Sequence, residues 1–421
     1  MALVFKFGGA SLKDAASVRN MADIIKNYQD NLVIVVSAMG KTTRALHQVV
    51  NDYFSRKDFE QSLNLVWDYH QSIINELFEN ENINLKLAFD RFKLRLNHKL
   101  LEAPSTNLDF EYDQIVPYGE LLSSAIVNEY LNYAGIENKW VDIRNSIKTD
   151  SVYRDANIDW QLSVELVNLN FSFQNQRVYL TQGFIASNQQ NLTTTLGLEG
   201  SDFTAAVISY SIDAEKMVVW KDVPGIFNSD PNLFKNVVKL DGISYREAVE
   251  LAYYGAKVIH PKTIKPLENK NIPLWVKSFK EPDELGTVIT SSTPNKIGVQ
   301  PMVPIYITKN SQILISIAPY DFSFIAEDNL EQIFSILAQF RIKVNLMQNS
   351  AVSFSICADY DPGRILPGIE KLKLKYKVLY NNDLTLITIR HFNNETIHET
   401  TYGRKVYLQQ KSRHTARFVV K

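Results

Sequence analysis

Cysteine is almost missing from this chain: of 421 residues, only Cys357 carries a thiol. That excludes an internal disulfide and any all-cysteine metal site, and it fits a reducing compartment. Cys357 lies in the apolar run VSFSICA and reads as a buried structural thiol rather than a nucleophile. Long apolar runs are missing too. None approaches the roughly 18 residues of a membrane span, so no membrane partner is expected. The opening residues MALVFKFGGASLKD hold too short an apolar stretch for a secretory signal, and Lys6 interrupts it. A cytoplasmic protein is the expectation. Neither sign of charge dominates: 45 basic residues stand against 46 acidic, a formal net charge of −1. This argues against a nucleic-acid partner and leaves room for a local anion site. There is no GxxxxGK[ST] phosphate loop, no GxGxxG, and no GxSxG elbow. Nothing pairs with His260 at metal-ligand spacing, which excludes a zinc site of that kind.

What is present alternates between strand and helix patterns. Residues Ala2 to Phe7 read as a buried strand that stops at Gly8-Gly9-Ala10-Ser11. Helical periodicity follows through Val18, Met21, Ile24 and Ile25. LVIVVSA gives a second strand, closed by MGKTT. Two strand–turn–helix units in succession predict α/β architecture with a parallel sheet. Residues 44 to 100 read as helices. Further elements are predicted at Tyr118 onward (helix), Arg177 to Ile185 (strand), Phe203 to Ile212 (helix), Lys216 to Lys221 (strand), Tyr245 to Tyr254 (helix) and Pro273 to Ser278 (strand). A boundary falls near Lys280 to Asn295, where KEPDELG and SSTPNK are rich in Pro, Gly, Ser and charge. Beyond it the pattern resembles a βαββ unit repeated roughly 70 residues on, the second copy having a short, weak helix at NNETIHETTYG. The resulting expectation is two domains, residues 1–285 and 300–421.

Several short motifs could carry chemistry, and each has a structural rival. Lys6 before Gly8-Gly9 suits an anion-binding nest with a point charge beside it, or a tight strand end with a snorkelling lysine. Ser37 to Thr43 follows a strand, where ligands sit in open α/β sheets, or is a hydroxyl-rich helix cap. Glu120 falls in the first turn of a helix, where the dipole favours an acid. Asp202 reads as an N-cap, Asp222 as a turn residue, and His260 before Pro261 as a cap. The stretch TTTLGLEGSDFTAA, Thr193 to Ala206, looks like a phosphate-handling turn without positive charge.

Taken in order, KFGGAS, VVSAMGKTT, YGELLSS, TQGFIA, TTTLGLEGSDFTAA, WKDVPGIFNSDP, ELAYYGAKVIHPKT and NIPLWVKS resemble the aspartate kinases from Lys6 to Ser278. The C-terminal part resembles tandem ACT domains. The resemblance implies a three-layer αβα amino-acid-kinase fold on a mainly parallel sheet, followed by an α+β, ACT-like βαββ regulatory region. It implies ATP and Mg²⁺ as cofactors and L-aspartate as substrate, phosphorylated on its side-chain carboxylate as the first step towards lysine, threonine and methionine. A feedback amino acid (lysine or threonine) at the ACT region and a homodimer or higher oligomer are further implied partners. The length leaves no room for a fused homoserine dehydrogenase.

Carried over residue by residue, the resemblance makes Lys6 and Asp202 catalytic, with Asp202 orienting Lys6. Lys6, Gly8, Gly9, Trp220, Lys221, Asp222, Gly225, Phe227 and Lys257 would face ATP. Ser37, Thr43, Glu120, Gly200 and Ser201 would face aspartate, with Glu120 on its ammonium. No metal ligands are assigned. On this reading TTTLGLEGSDFTAA faces the amino acid, and the phosphates are met by Lys6 and Lys257.

The chain departs from the family at Ala10, Lys221, Phe227 and Asn232, and most of all at Leu198, where an arginine usually clamps the substrate's α-carboxylate. A leucine cannot make that bidentate contact. Losing one partner of a buried charge pair costs about 2–5 kcal/mol. Two rival functions therefore stand beside the kinase: a catalytically weakened amino-acid- or nucleotide-binding regulator, and a kinase for another small acid.

Overall fold

The computed structural model describes residues 2–234, 237–256, 259–291, 303–321 and 323–421. They form two compact units. One comprises residues up to 226, 239–252 and the stretch beginning at 257. The other comprises 227–238, 253–256 and the C-terminal stretch to 421.

The first unit is built on an eight-stranded sheet. Its strand order is Gly242–Ser244, Thr287–Thr290, Leu274–Ser278, Lys216–Lys221, Ala2–Phe7, Asn31–Val36, Val178–Gln182, Lys139–Val141. Every neighbouring pair is parallel except Leu274–Ser278 with Thr287–Thr290. The three central strands are buried along almost their whole length, as a sheet covered on both faces requires. Helix Gly200–Ser211 packs on Ala2–Phe7, Asn31–Val36 and Lys216–Lys221, with Pro261–Asn269 and Trp160–Asn170 beside it. Helix Tyr118–Tyr133 packs on Asn31–Val36, Val178–Gln182 and Lys139–Val141, with Ala15–Lys26, Thr42–Phe54, Glu60–Leu77 and Ile83–Leu101 around it. These are the helices of a three-layer αβα fold.

The second unit holds a six-stranded antiparallel sheet, ordered Val344–Asn349, Phe354–Asp359, Ile305–Pro319, Tyr376–Arg390, Thr415–Val420, Val406–Lys411. Its two central strands are twice the expected length. Each spans 15 residues and serves both halves of the sheet, with register shifts between Lys309 and Leu314. The weak second helix does form, as Asn394–Thr401, because Asn393 and Thr396 make a reciprocal capping box. Helix Pro362–Lys373 completes the first half. Cys357 is fully buried, and burial pushes its thiol up to about 12.

Candidate functional site

Lys6 is the last but one residue of strand Ala2–Phe7. Its Nζ lies 2.6 Å from Asp202 Oδ1, and both side chains are largely buried, 12% and 5% exposed. Asp202 belongs to the first turn of helix Gly200–Ser211, but it does not cap it. The N-cap is Glu199, in the left-handed region at φ 55°, with no side-chain cap bond. The Glu199 carboxylate instead accepts from the His260 N–H at 2.9 Å. His260 in turn caps helix Pro261–Asn269.

The loops after the first two strands interlock. The Ser37 N–H donates to the Phe7 carbonyl at 3.1 Å and the Gly40 N–H to the Gly9 carbonyl at 3.0 Å. A Cβ on Gly9 would stand 2.8 Å from the Ala38 carbonyl oxygen, so this approach needs glycine. Gly8 lies beneath the Lys6 amine, 3.4 Å from where its Cβ would be. Gly183 ends the next strand, and its N–H donates to the Val36 carbonyl. A Cβ there would stand 2.5 Å from Ser201 Cβ, so the start of the Asp202 helix is seated on a bare backbone.

Glu120 enters from the other helical layer. It is 2% exposed, and its Oε1 accepts weakly from the Ala38 N–H at 3.4 Å. Oε2 is buried with no hydrogen-bond partner. Burial, only partly offset by backbone N–H groups, pushes the carboxyl up to about 8. Ser123, one turn on, donates to the Ser37 carbonyl at 2.7 Å and holds the loop over this acid. Ser37 and Thr43 are half-buried, Gly200 and Ser201 buried. Lys6, Gly8, Gly9, Ser37, Glu120, Gly200, Ser201 and Asp202 thus gather at the carboxyl ends of neighbouring strands. Ser123 and Gly183 lie within YGELLSS and TQGFIA, but no role for either was legible in the sequence, because each bonds the backbone of a segment distant in the chain.

The other predicted residues lie along the next strand or beyond it. The Trp220 ring is 1% exposed and stacks on Phe7 at 6.0 Å, so it is core; its carbonyl accepts from Ser11 Oγ at 3.2 Å. Lys221 is half-buried and Asp222 exposed at the strand's end. Gly225 is buried at φ 150°. Phe227 and Asn232 belong to the second unit. The Asn232 side chain donates to Asp230 at 3.0 Å. Lys257 lies outside the described residues.

The stretch Thr193 to Ala206 divides in two. Thr193–Thr195 is a buried strand whose hydroxyls are already used. Thr193 accepts from Arg144, Thr194 bonds Thr149, and Thr195 donates to Asp113. Leu198 projects into solvent, 77% exposed. Next to it, Gly197 lies against Asp155, which pairs with Lys262.

Residues 1–278 match the model of the amino acid kinase family. The fold and this match make the chain a phosphotransferase of that class. The lysine-sensitive aspartokinase 3 of Escherichia coli is 30% identical over 358 residues, covering 85% of this chain and 78% of that one. Its solved structure with lysine and aspartate superposes with a TM-score of 0.82 at 26% identity, covering 100% of this chain and 96% of that one. The form with aspartate and ADP gives 0.79 at 25% identity, with the same coverage. A bifunctional aspartokinase/homoserine dehydrogenase of Zea mays is 31% identical over 70% of this chain, which spans only 33% of it. The chain belongs to the amino acid kinase family and, within it, to the aspartokinases.

Proposed function

We propose that the cluster around Lys6, Glu120 and Asp202 is the catalytic centre for ATP-dependent phosphorylation of the side-chain carboxylate of L-aspartate. The observation that carries this reading is the buried, unpartnered Oε2 of Glu120 beneath the Ser37–Gly40 loop. A lone carboxylate oxygen in that position is a seat for the substrate's ammonium. Ser37, Thr43, Gly200 and Ser201 would border the rest of the amino acid.

In the reaction a carboxylate oxygen of aspartate attacks the γ-phosphorus of ATP. The bond from that phosphorus to the β,γ-bridging oxygen breaks, and ADP leaves with its electron pair. The carboxylate is already a nucleophile, so no general base is needed. Catalysis then rests on holding two anions together and neutralising charge. Lys6, fixed by Asp202, would meet the transferring phosphoryl group beside Gly8 and Gly9. Lys257 would contact ATP phosphates, and Lys221, Asp222, Gly225 and Phe227 would border the nucleotide. Trp220 would act only through its main chain. Among the described residues no group of three His, Cys, Asp or Glu could hold a metal ion. Mg²⁺ would therefore enter on the nucleotide, held mostly by phosphate and water.

We assign residues 1–285 to the catalytic domain and 300–421 to an ACT-like region that senses an amino-acid end product, lysine or threonine, in a homodimer or larger assembly. No helix among the described residues is long and apolar enough to cross a membrane. The test is ADP release with ATP, Mg²⁺ and a panel of acidic amino acids. Aspartate-dependent turnover is expected. ATP binding without turnover on any acid would overturn the kinase reading, and turnover on another acid alone would reassign the substrate.

A further inference from the structure

Aspartate would bring three charged groups to the site, one ammonium and two carboxylates. Glu120 is the seat for the ammonium, and Lys6 meets the reacting end. The remaining carboxylate needs a cation of its own, and Leu198 has none to give. Two cations beside that stretch are already engaged. Lys262 pairs with Asp155. Arg144 lies 2.6 Å from Asp142, and its Nη1 donates to Thr193.

Arg154 differs from both. Its φ is 69°, a left-handed conformation that a long side chain adopts only where its surroundings impose it. Asp113, on helix Leu108–Ile115, imposes it here. Its carboxylate accepts from the Arg154 N–H at 3.0 Å and from the Thr195 N–H and hydroxyl at 2.9 and 2.7 Å. The Arg154 carbonyl oxygen lies 3.4 Å from where a Cβ on Gly197 would stand. The turn presenting Arg154 is thus tied to the strand and loop that lead into Leu198. Its guanidinium stands over the Tyr112 ring, 4.3 Å from the centre, and that ring meets His47 edge-on at 5.2 Å. His47 follows Thr43 by four residues on helix Thr42–Phe54, a spacing that puts both on one face. Tyr112 also feels two opposite charges. Burial raises its phenol most, the positive Arg154 opposes this, and the negative Glu120 adds to it. Arg154 therefore stands on the Thr43 and Glu120 side of the site. Its one ion-pair partner among the described residues is the exposed Asp109, reached by Nη1 at 3.2 Å. Such exposed pairs are worth little and exchange readily.

We infer that Arg154 is the specificity-determining cation of the amino-acid site: its guanidinium leaves Asp109 and takes the α-carboxylate while Glu120 takes the ammonium. A planar fork held on an aromatic face is suited to bidentate capture of a carboxylate. The site would then select a substrate carrying a second carboxylate beside its ammonium. The inference rests on the reading of the Lys6, Glu120 and Asp202 cluster as an aspartate site and gives that site its third charged contact.

The test uses the full chain and two probes, L-aspartate and its α-amide, which keeps the ammonium and the reacting carboxylate but lacks the charge assigned to Arg154. Binding of each is titrated calorimetrically, and ADP release is followed separately. Arg154→Met keeps the Asp113 contact, which uses the backbone N–H, and the melting temperature checks that it folds. Should it melt early, Arg154→Lys, which keeps the charge but not the fork, carries the same comparison. Arg154→Met is expected to weaken aspartate by about tenfold or more, with kcat within about threefold and the α-amide's affinity unchanged. Lys262→Met is expected to alter neither. The inference is overturned if aspartate binds Arg154→Met as before, if both probes weaken together, or if Lys262→Met causes the selective loss instead. Turnover with unchanged aspartate affinity in Arg154→Met would leave the kinase reading standing. A selective loss of aspartate binding in a chain that releases no ADP would strike the kinase reading alone.

Discussion

Lys6 and Asp202 form an ion pair of 2.6 Å at the junction of the central strand and the helix that crosses it, with both side chains withdrawn from water. Neither can be removed without leaving the other buried and alone. Breaking such a pair costs about 3–5 kcal/mol. Lys6→Met and Asp202→Asn should each lower the urea midpoint. Lys6→Met should also lower kcat by about 10²–10³, the scale for removing one preorganised charge donor. The double variant should lose much less stability than the sum of the singles. Additive losses in both stability and rate would show that the two act independently.

If Glu120 seats the substrate's ammonium, substrate binding is a proton-linked event. The Glu120 carboxyl is raised from 4.5 to about 8 by burial, so without ligand it is protonated at pH 7. Since the folded value lies above the unfolded one, its contribution to stability is complete below about pH 4.5 and is lost as pH rises through about 8. An ammonium on Oε2 would favour the charged form. Aspartate binding at pH 7 should therefore release close to one proton, measurable by calorimetry in buffers of different ionisation enthalpy. Release should vanish above about pH 9, and Glu120→Gln should abolish it. Equal heats in all buffers at pH 7 would contradict this.

Leu198 is exposed, so Leu198→Arg should change stability by no more than about 0.5 kcal/mol. If position 198 faces the α-carboxylate, the new guanidinium should lower the KM for aspartate about tenfold or more while kcat stays near its starting value. An unchanged KM would mean that another group already holds that carboxylate, and Lys262→Met would then be the next variant to assay.

Gly183→Ala places a methyl group 2.5 Å from Ser201 Cβ and 2.7 Å from Ser201 Cα. Backbone must move, at a cost of about 1–3 kcal/mol. The shift falls on the turn that carries Asp202, so kcat should drop together with the urea midpoint. A stable variant with full activity would show that the helix start tolerates displacement.

Much of the catalytic unit was legible because its strands are continuous apolar runs and its loops carry glycine at strand ends. Lys216–Lys221 and Tyr245–Tyr254 occur with the predicted bounds. The short strands Lys139–Val141 and Gly242–Ser244 were not foreseen, since three residues carry no period. Thr193–Thr195 misled because hydroxyl-rich turns and hydroxyl-rich buried strands look alike until their partners, Arg144, Thr149 and Asp113, are known. Asp202 misled as a cap because the chain enters its helix through a left-handed Glu199, which sequence alone does not announce.

The two 15-residue strands Ile305–Pro319 and Tyr376–Arg390 run through both halves of the C-terminal sheet. Ile305 pairs with Arg390, and Pro319 with Tyr376. The repeat visible in the sequence is thus not a pair of modules on a string. Either half, excised, would lose the edge of its own sheet and expose that of its neighbour. The two must be gained and lost together in folding, and a strain entered at one end of these strands has two unbroken chain segments, paired on both sides of the register shift between Lys309 and Leu314, along which to reach the other.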